Sequence, residues 1–325
     1  MIVPFPWRWH SFQTTPFTFL LMGFLVCTHL ILWSIQGDSL HKSYQLFRKE
    51  STVVTSGHLY SQYLHQKGKN PKFEYLVPQQ PSYYEQMGYL SRKDLQFVED
   101  SLDFQFFGDP LLIQQWRQDM STWKSEYYQS HYMTYGLVFG VPRFDSTIRY
   151  FTYQFVHSNF VHLLGNILFL YFFGMMVELF MGGFVMLIVF LGGGVFAGWF
   201  YKMSLLWVFG DLTSAPLVGA SGSITALMAF YFVIEYNHRV KFFYFFAPIE
   251  NYFGSFFASK WLMLPVLFVP DLVDFMSIVP ELGQQIGFAA HLGGMTYGWM
   301  MGLLLRLIWP YFGSHSESTS TRQSF

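Results

Sequence analysis

The chain has 325 residues, of which 52% are hydrophobic and 12% charged, about half the charged share of an ordinary soluble domain. That balance reads as an integral membrane protein in contact with a lipid bilayer. A formal net charge of -1 with scattered basic residues excludes a nucleic-acid surface, and the single cysteine, Cys27, excludes both a disulfide framework and a cysteine-built zinc site.

After a short N-terminal stretch, 1–15, which is expected to be cytoplasmic, residues 16–33 are uncharged and long enough to cross a hydrocarbon core. The first spanning helix is placed at 16–36; no small-x-small cleavage site follows it, so it is expected to stay attached. Residues 37–148 carry charges of both signs and turn signals such as Lys67 to Pro71, with no run able to span, and form a large extramembrane insert. Within it, Leu95, Val98, Leu102, Leu111, Trp116, Met120, Trp123 and Tyr127 recur at mixed three and four spacing. The spacing predicts amphipathic helices over 91–131, interrupted near Gly108 to Pro110. Helices lying on the membrane surface and a small cap with an ordinary helical core both fit this pattern.

From Val161 the apolar runs come quickly, at 161–180, 183–201, 217–234, 259–278 and 287–309. With the first they make six spans, and the fold class expected is an all-α membrane protein, a six-helix bundle whose core occupies 149–309. Arg8, Arg239, Lys241, Lys260, Arg306 and Arg322 fall on one side of such a bundle, with Lys202 as the exception. Both termini are therefore placed inside and the insert outside. The aromatic run from Phe242 to Phe246 reads as an inner interfacial belt, Asp271 and Asp274 as interfacial carboxylates, and 310–325 as a disordered cytoplasmic tail.

Polar groups within or beside the apolar runs carry the chemistry. Ser221 stands between Gly219-Ala220 and Gly222 at the mouth of the fourth span, a costly place for a hydroxyl in lipid unless it reacts. His162 and Asn166, four apart, share one helical face. His291 precedes a ladder of Gly294, Gly298 and Gly302, which lets a neighbouring helix approach closely, and Gly222 and Ala226 offer the matching small face. Packed through those faces, Ser221 and His291 form a nucleophile and general-base dyad. The Ser221 amide, His162 and Asn166 are the candidate oxyanion donors.

These motifs resemble those of the rhomboid intramembrane serine proteases: HSNFVHLLGN from His157 to Asn166, Gly174 to Glu178 with Gly182, Gly219-Ala-Ser221-Gly222, and Ala290-His291-Leu-Gly-Gly294. The resemblance covers the first span and about 149–309, and implies a rhomboid-like bundle with Ser221 as catalytic serine and His291 as base. It implies an oxyanion pair in His162 and Asn166, a supporting role for His157, Gly219 and Gly222, and a structural Glu178 that ties the inner end of span two to the neighbouring loop. The implied substrates are single-span membrane proteins cut in or near their transmembrane segment, with no cofactor and no metal. Thr225 stands where some relatives carry a tyrosine that stacks on the base. Trp116-Arg117 is similar to a Trp-Arg pair of the family's first loop. Two rivals remain open: a non-proteolytic rhomboid-like protein that binds client helices, and a metalloprotein using His157, His162 and His291. A multi-pass protein of a bacterial inner membrane is the expected setting, with an organelle membrane as the alternative.

Overall fold

An uncharged aliphatic and aromatic run satisfies its backbone in lipid only by coiling, and Pro16, with its fixed φ and missing N–H, suits a first helical turn. The computed structural model describes residues 2–5, 12–46, 50–68, 81–92, 94–209, 216–234, 239–245, 253–259 and 285–313, and its first helix is α1 (Pro16–Leu46). The orphan donors of that helix are taken by a carboxylate from far along the chain. The Phe17 amide donates to Glu178 Oε1 at 2.9 Å, and the Thr18 amide and hydroxyl donate to Oε2 at 2.8 and 2.7 Å. Glu178 therefore ties the C-terminal end of the second span to the start of the first, rather than to the neighbouring loop that the resemblance implies. Removing it orphans three donors in a largely buried setting, so Glu178→Ala is expected to cost roughly 2–3 kcal/mol. The check is the unfolding midpoint in detergent, which should fall while the helical content holds.

Five further helices follow before the main bundle: α2 (Glu50–Gln66), α3 (Pro81–Ser91), α4 (Leu95–Asp100), α5 (Pro110–Tyr128) and α6 (His131–Tyr135). The break expected near Gly108 is present. Gly108 adopts φ 145°, Asp109 accepts from the Leu111 amide at 2.9 Å, and Pro110 opens α5. Tyr63, Met87, Phe97, Trp116 and Met120 are buried together, giving α2 to α5 a core of their own. Trp116 and Arg117 belong to that interior: the indole donates to Ser56 Oγ at 2.8 Å and the guanidinium to the Phe104 carbonyl at 2.6 Å.

The short α7 (Arg149–Thr152) leads into α8 (Phe160–Met181), and Gly182, at φ 84°, turns the chain into α9 (Gly183–Phe209). Then come α10 (Ser221–Ile234) and α11 (Gln285–Gly313). Among the described residues, three helices are long and apolar enough to cross a membrane, at 16–35, 160–181 and 183–207, with α10 a shorter apolar helix. Their shared core holds Leu25, Phe173, Phe190, Leu227 and Phe230. Trp207 (91% exposed), Val161 (77%) and Phe184 (75%) point outward, an exposed apolar girdle that suits lipid rather than water. The expected fifth span lies outside the described residues except for Ser259, as do Asp271, Asp274 and the tail beyond Gly313.

The all-α expectation did not include a small antiparallel sheet. Strands β1 (Ile2–Phe5), β2 (Arg239–Phe245) and β3 (Phe253–Ser259) lie in that order, with Ile2 opposite Tyr244 and Arg239 opposite Ser259. Most of the run read as an interfacial belt is thus the central strand, and Pro4 sits on an edge strand, where its missing N–H is tolerated. The sheet joins the N-terminus to the segment after α10, so both lie at one end of the bundle.

Candidate functional site

The site grows from a short helix. Fourteen residues of α10 rise about 21 Å, less than a hydrocarbon core of about 30 Å. The fourth run, expected to be helical from 217, is extended over its first residues, and the helix begins at Ser221. Non-helical backbone at such depth must be paired within the protein. It is: Leu217 and Leu137 exchange both backbone hydrogen bonds at 2.9 and 3.0 Å, and the Gly219 amide donates to the Tyr153 carbonyl at 3.0 Å. Gly219 holds φ 121°, a conformation that side chains disfavour. Ser221, half-buried, follows this fixed turn at the positive end of the α10 dipole.

Small residues bring α11 against α10. A Cβ on Gly294 would overlap the Gly222 carbonyl, one on Gly298 would overlap that of Ala226, and one on Gly302 would lie 2.7 Å from Val233 Cβ. The glycine ladder and its partner face, both legible in the sequence, therefore meet. Thr225 Oγ1 lies 2.8 Å from the Gly222 carbonyl and 3.2 Å from that of His291, which ties half-buried His291 to the first turn of α10. Where a ring stack was missing from the sequence, a hydroxyl joins the two helices.

From the other side comes α8. Its N-cap, Asn159, accepts from the His162 amide at 2.8 Å. The His162 ring lies against the turn before Ser221: a Cβ on Gly219 would stand 2.7 Å from its Cε1 and 2.9 Å from its Nε2. His162 also lies within electrostatic reach of His291. Buried Asn166 uses Nδ2 to donate to the His162 carbonyl at 2.8 Å, so the pair shares one face one turn apart.

A match over residues 145–308 to the family model for the rhomboid domain takes in Ser221, His291, His162 and Asn166. The chain belongs to the rhomboid family. Mouse rhomboid-related protein 2 is 30% identical to it over 157 residues, which are 47% of this chain and 46% of that protein. The chain thus spans about half the length of the curated relative it matches. Helices α8 and α1 are antiparallel, because Glu178, near the end of α8, meets the start of α1. His162 and Ser221 therefore lie at the end of the bundle from which the insert departs.

His157 is 1% exposed, its ring 5.3 Å from that of His162 and edge-on to it. Neither of its nitrogens finds a hydrogen-bond partner among the described residues. Burial, and then the neighbouring His162 and His29, push its pKa down to about 3; His131, buried in α6, is lowered to about 4 by burial and His29. Both stay neutral in the folded protein where the unfolded chain takes up protons. Stability should therefore decline as pH falls below about 6.5, with His157 alone contributing a loss of about 2 kcal/mol by pH 5. An unfolding midpoint that drops between pH 7.5 and 5, and drops less in His157→Gln, is the expected result.

Residues that the sequence did not single out hold the site from behind. Tyr153 donates to the Gly194 carbonyl at 2.6 Å, and fully buried Ser223 donates to Gln154 Oε1 at 2.8 Å, at a point where Gly194 leaves no room for a side chain. Arg149 donates to the Met133 and Gly136 carbonyls, fastening the approach to α8 onto α6. The available signal was polarity: Gln154 in an otherwise aromatic stretch is a buried polar group that needs a partner.

Proposed function

We propose that this rhomboid is an intramembrane serine endopeptidase that cuts membrane-anchored proteins in or near their transmembrane segment. The observation that carries the reading is the convergence at one helix N-terminus: Ser221 after a positive-φ turn, the His162 ring against that turn, and His291 held to the first turn of α10 through Thr225. In the proposed reaction Ser221 Oγ attacks the scissile carbonyl carbon while His291 accepts its proton. The Ser221 amide, His162 and Asn166 receive the oxyanion. Collapse breaks the C–N bond, His291 returns the proton to the leaving amine, and water then cleaves the acyl-enzyme by the same route.

No metal or cofactor enters these steps. The water they consume is proposed to reach Ser221 from the insert side, the end of the bundle at which α10 begins. Sheet pairing of the N-terminus with the segment after α10 supports placing both on one side of the membrane, and the basic residues there, Arg239 and Lys241, favour the inside for that side, with the insert and the site mouth outside. The test is a serine-directed phosphonate probe on the reconstituted chain, beside a single-span reporter substrate. Label on the Ser221 peptide together with a cut at a defined bond is expected. Neither label nor cut in folded protein would sink the protease reading and leave a client-binding role.

A further inference from the structure

His162 donates to an oxyanion only from a protonated nitrogen, and a neutral imidazole has just one. The edge that faces the turn before Ser221 carries Nε2, since a Cβ on Gly219 would lie 2.9 Å from Nε2 but 3.9 Å from Nδ1. Productive geometry therefore demands Nε2–H and a bare Nδ1. What sets the tautomer is the partner of Nδ1, and that partner is Ser158 Oγ at 3.1 Å. A hydroxyl can donate or accept, so the distance alone does not fix the direction. The neighbouring residue biases it.

Asn159 caps α8 by accepting the His162 amide at Oδ1, 2.8 Å away. A backbone N–H requires an acceptor, so that atom is the oxygen, and the amide atom turned toward Ser158 is the Nδ2 donor, 3.4 Å from Ser158 Oγ. Accepting from Asn159 occupies one lone pair of Ser158 Oγ and leaves its hydrogen free for His162 Nδ1, although the second lone pair of a hydroxyl can also accept. Its backbone is held as well: the Tyr132 hydroxyl of α6 donates to the Ser158 carbonyl at 2.7 Å.

We propose that Ser158 is a positioning residue which, fed by Asn159 Nδ2, donates to His162 Nδ1 and so fixes the imidazole as the Nε2–H tautomer aimed at the turn before Ser221. The proposal rests on the protease reading for its consequence in catalysis, though not for the tautomer itself. Ser158 acts through His162, and the last helix of the insert keeps it in place.

The tautomer is read by nitrogen NMR of the full chain with 15N-labelled histidine in micelles, the His162 signals being assigned by difference against His162→Gln. The parent should show Nε2 protonated and Nδ1 bare. Ser158→Ala should raise the Nδ1–H population, and Ser158→Thr should preserve the parent pattern. Asn159→Asp is a second, independent variant: it retains the helix cap but replaces the Nδ2 donor by an acceptor that competes for the Ser158 proton, so it too should raise Nδ1–H. Either Ser158→Ala or Asn159→Asp, folded and with the parent's His162 signals, overturns the proposal.

In reporter cleavage, Ser158→Ala should lose about ten- to a hundredfold in kcat with KM unchanged, short of deleting an oxyanion donor outright, and Ser158→Thr should recover most of it. An unaltered kcat in Ser158→Ala overturns the catalytic consequence. If the parent cleaves nothing, the protease reading fails and the NMR comparison still decides the relay.

Discussion

Ser221→Ala and His291→Ala are each expected to reduce cleavage of a single-span reporter by about a million-fold, and the double variant should be no worse than either alone. The reason is that a nucleophile and its base work as one unit: a serine without a proton acceptor stays a poor nucleophile, and a base without the hydroxyl has nothing to activate. The structure makes the comparison interpretable, because both side chains are half-buried at the mouth of the α10–α11 seam rather than inside the packing core. Neither substitution should shift the unfolding midpoint by more than a degree or two. Reporter binding should persist, since the contacts that hold a substrate helix are left in place. Equal cleavage by parent and variants would assign the activity to a contaminant and remove Ser221 from the chemistry.

Much of this site could be read from sequence because it is built from local rules. Spacing of four put His162 and Asn166 on one face, and the glycine ladder required a small-residue partner that Gly222 and Ala226 supply; Gly294 meets Gly222 and Gly298 meets Ala226. Asp109-Pro110 after Gly108 announced the start of a helix, and α5 begins there. What sequence could not give is partner identity over long separations. Glu178 read as a structural carboxylate, yet nothing local says that its oxygens reach 160 residues back to the first turn of α1. Gln154 and Ser223 are individually unremarkable, and their hydrogen bond exists only because α9 is narrowed to glycine at Gly194. The strand at Arg239–Phe245 was missed for a different reason. A run of aromatic residues beside an apolar span has an interfacial reading that competes with a β one, and the alternating pattern RVKFFYF is too short to decide between them.

The second large effect concerns a glycine rather than a reacting group. Gly219→Ala is expected to lower kcat by about a hundredfold or more, through displacement of the proposed oxyanion-binding ring of His162 by roughly an ångström. Two independent costs meet at this position. Its φ of 121° is one that an alanine adopts only with strain of about 1–3 kcal/mol. The added methyl would also stand 2.7 Å from His162 Cε1 and 2.9 Å from Nε2, closer than such contacts occur. Relaxing either one worsens the other: turning the backbone toward negative φ breaks the Gly219 amide's bond to the Tyr153 carbonyl and swings Ser221, while moving the ring draws His162 away from the oxyanion position. The matching control lies on α8 between the two proposed oxyanion residues. Gly165 has open space where its Cβ would be, so Gly165→Ala should leave kcat unchanged and raise helix stability by up to about 1 kcal/mol. Parallel kcat and unfolding measurements on the two variants separate a turn that positions the chemistry from a glycine that merely happens to be nearby; wild-type turnover in Gly219→Ala would mean that the turn does not hold His162 where the proposed reaction needs it.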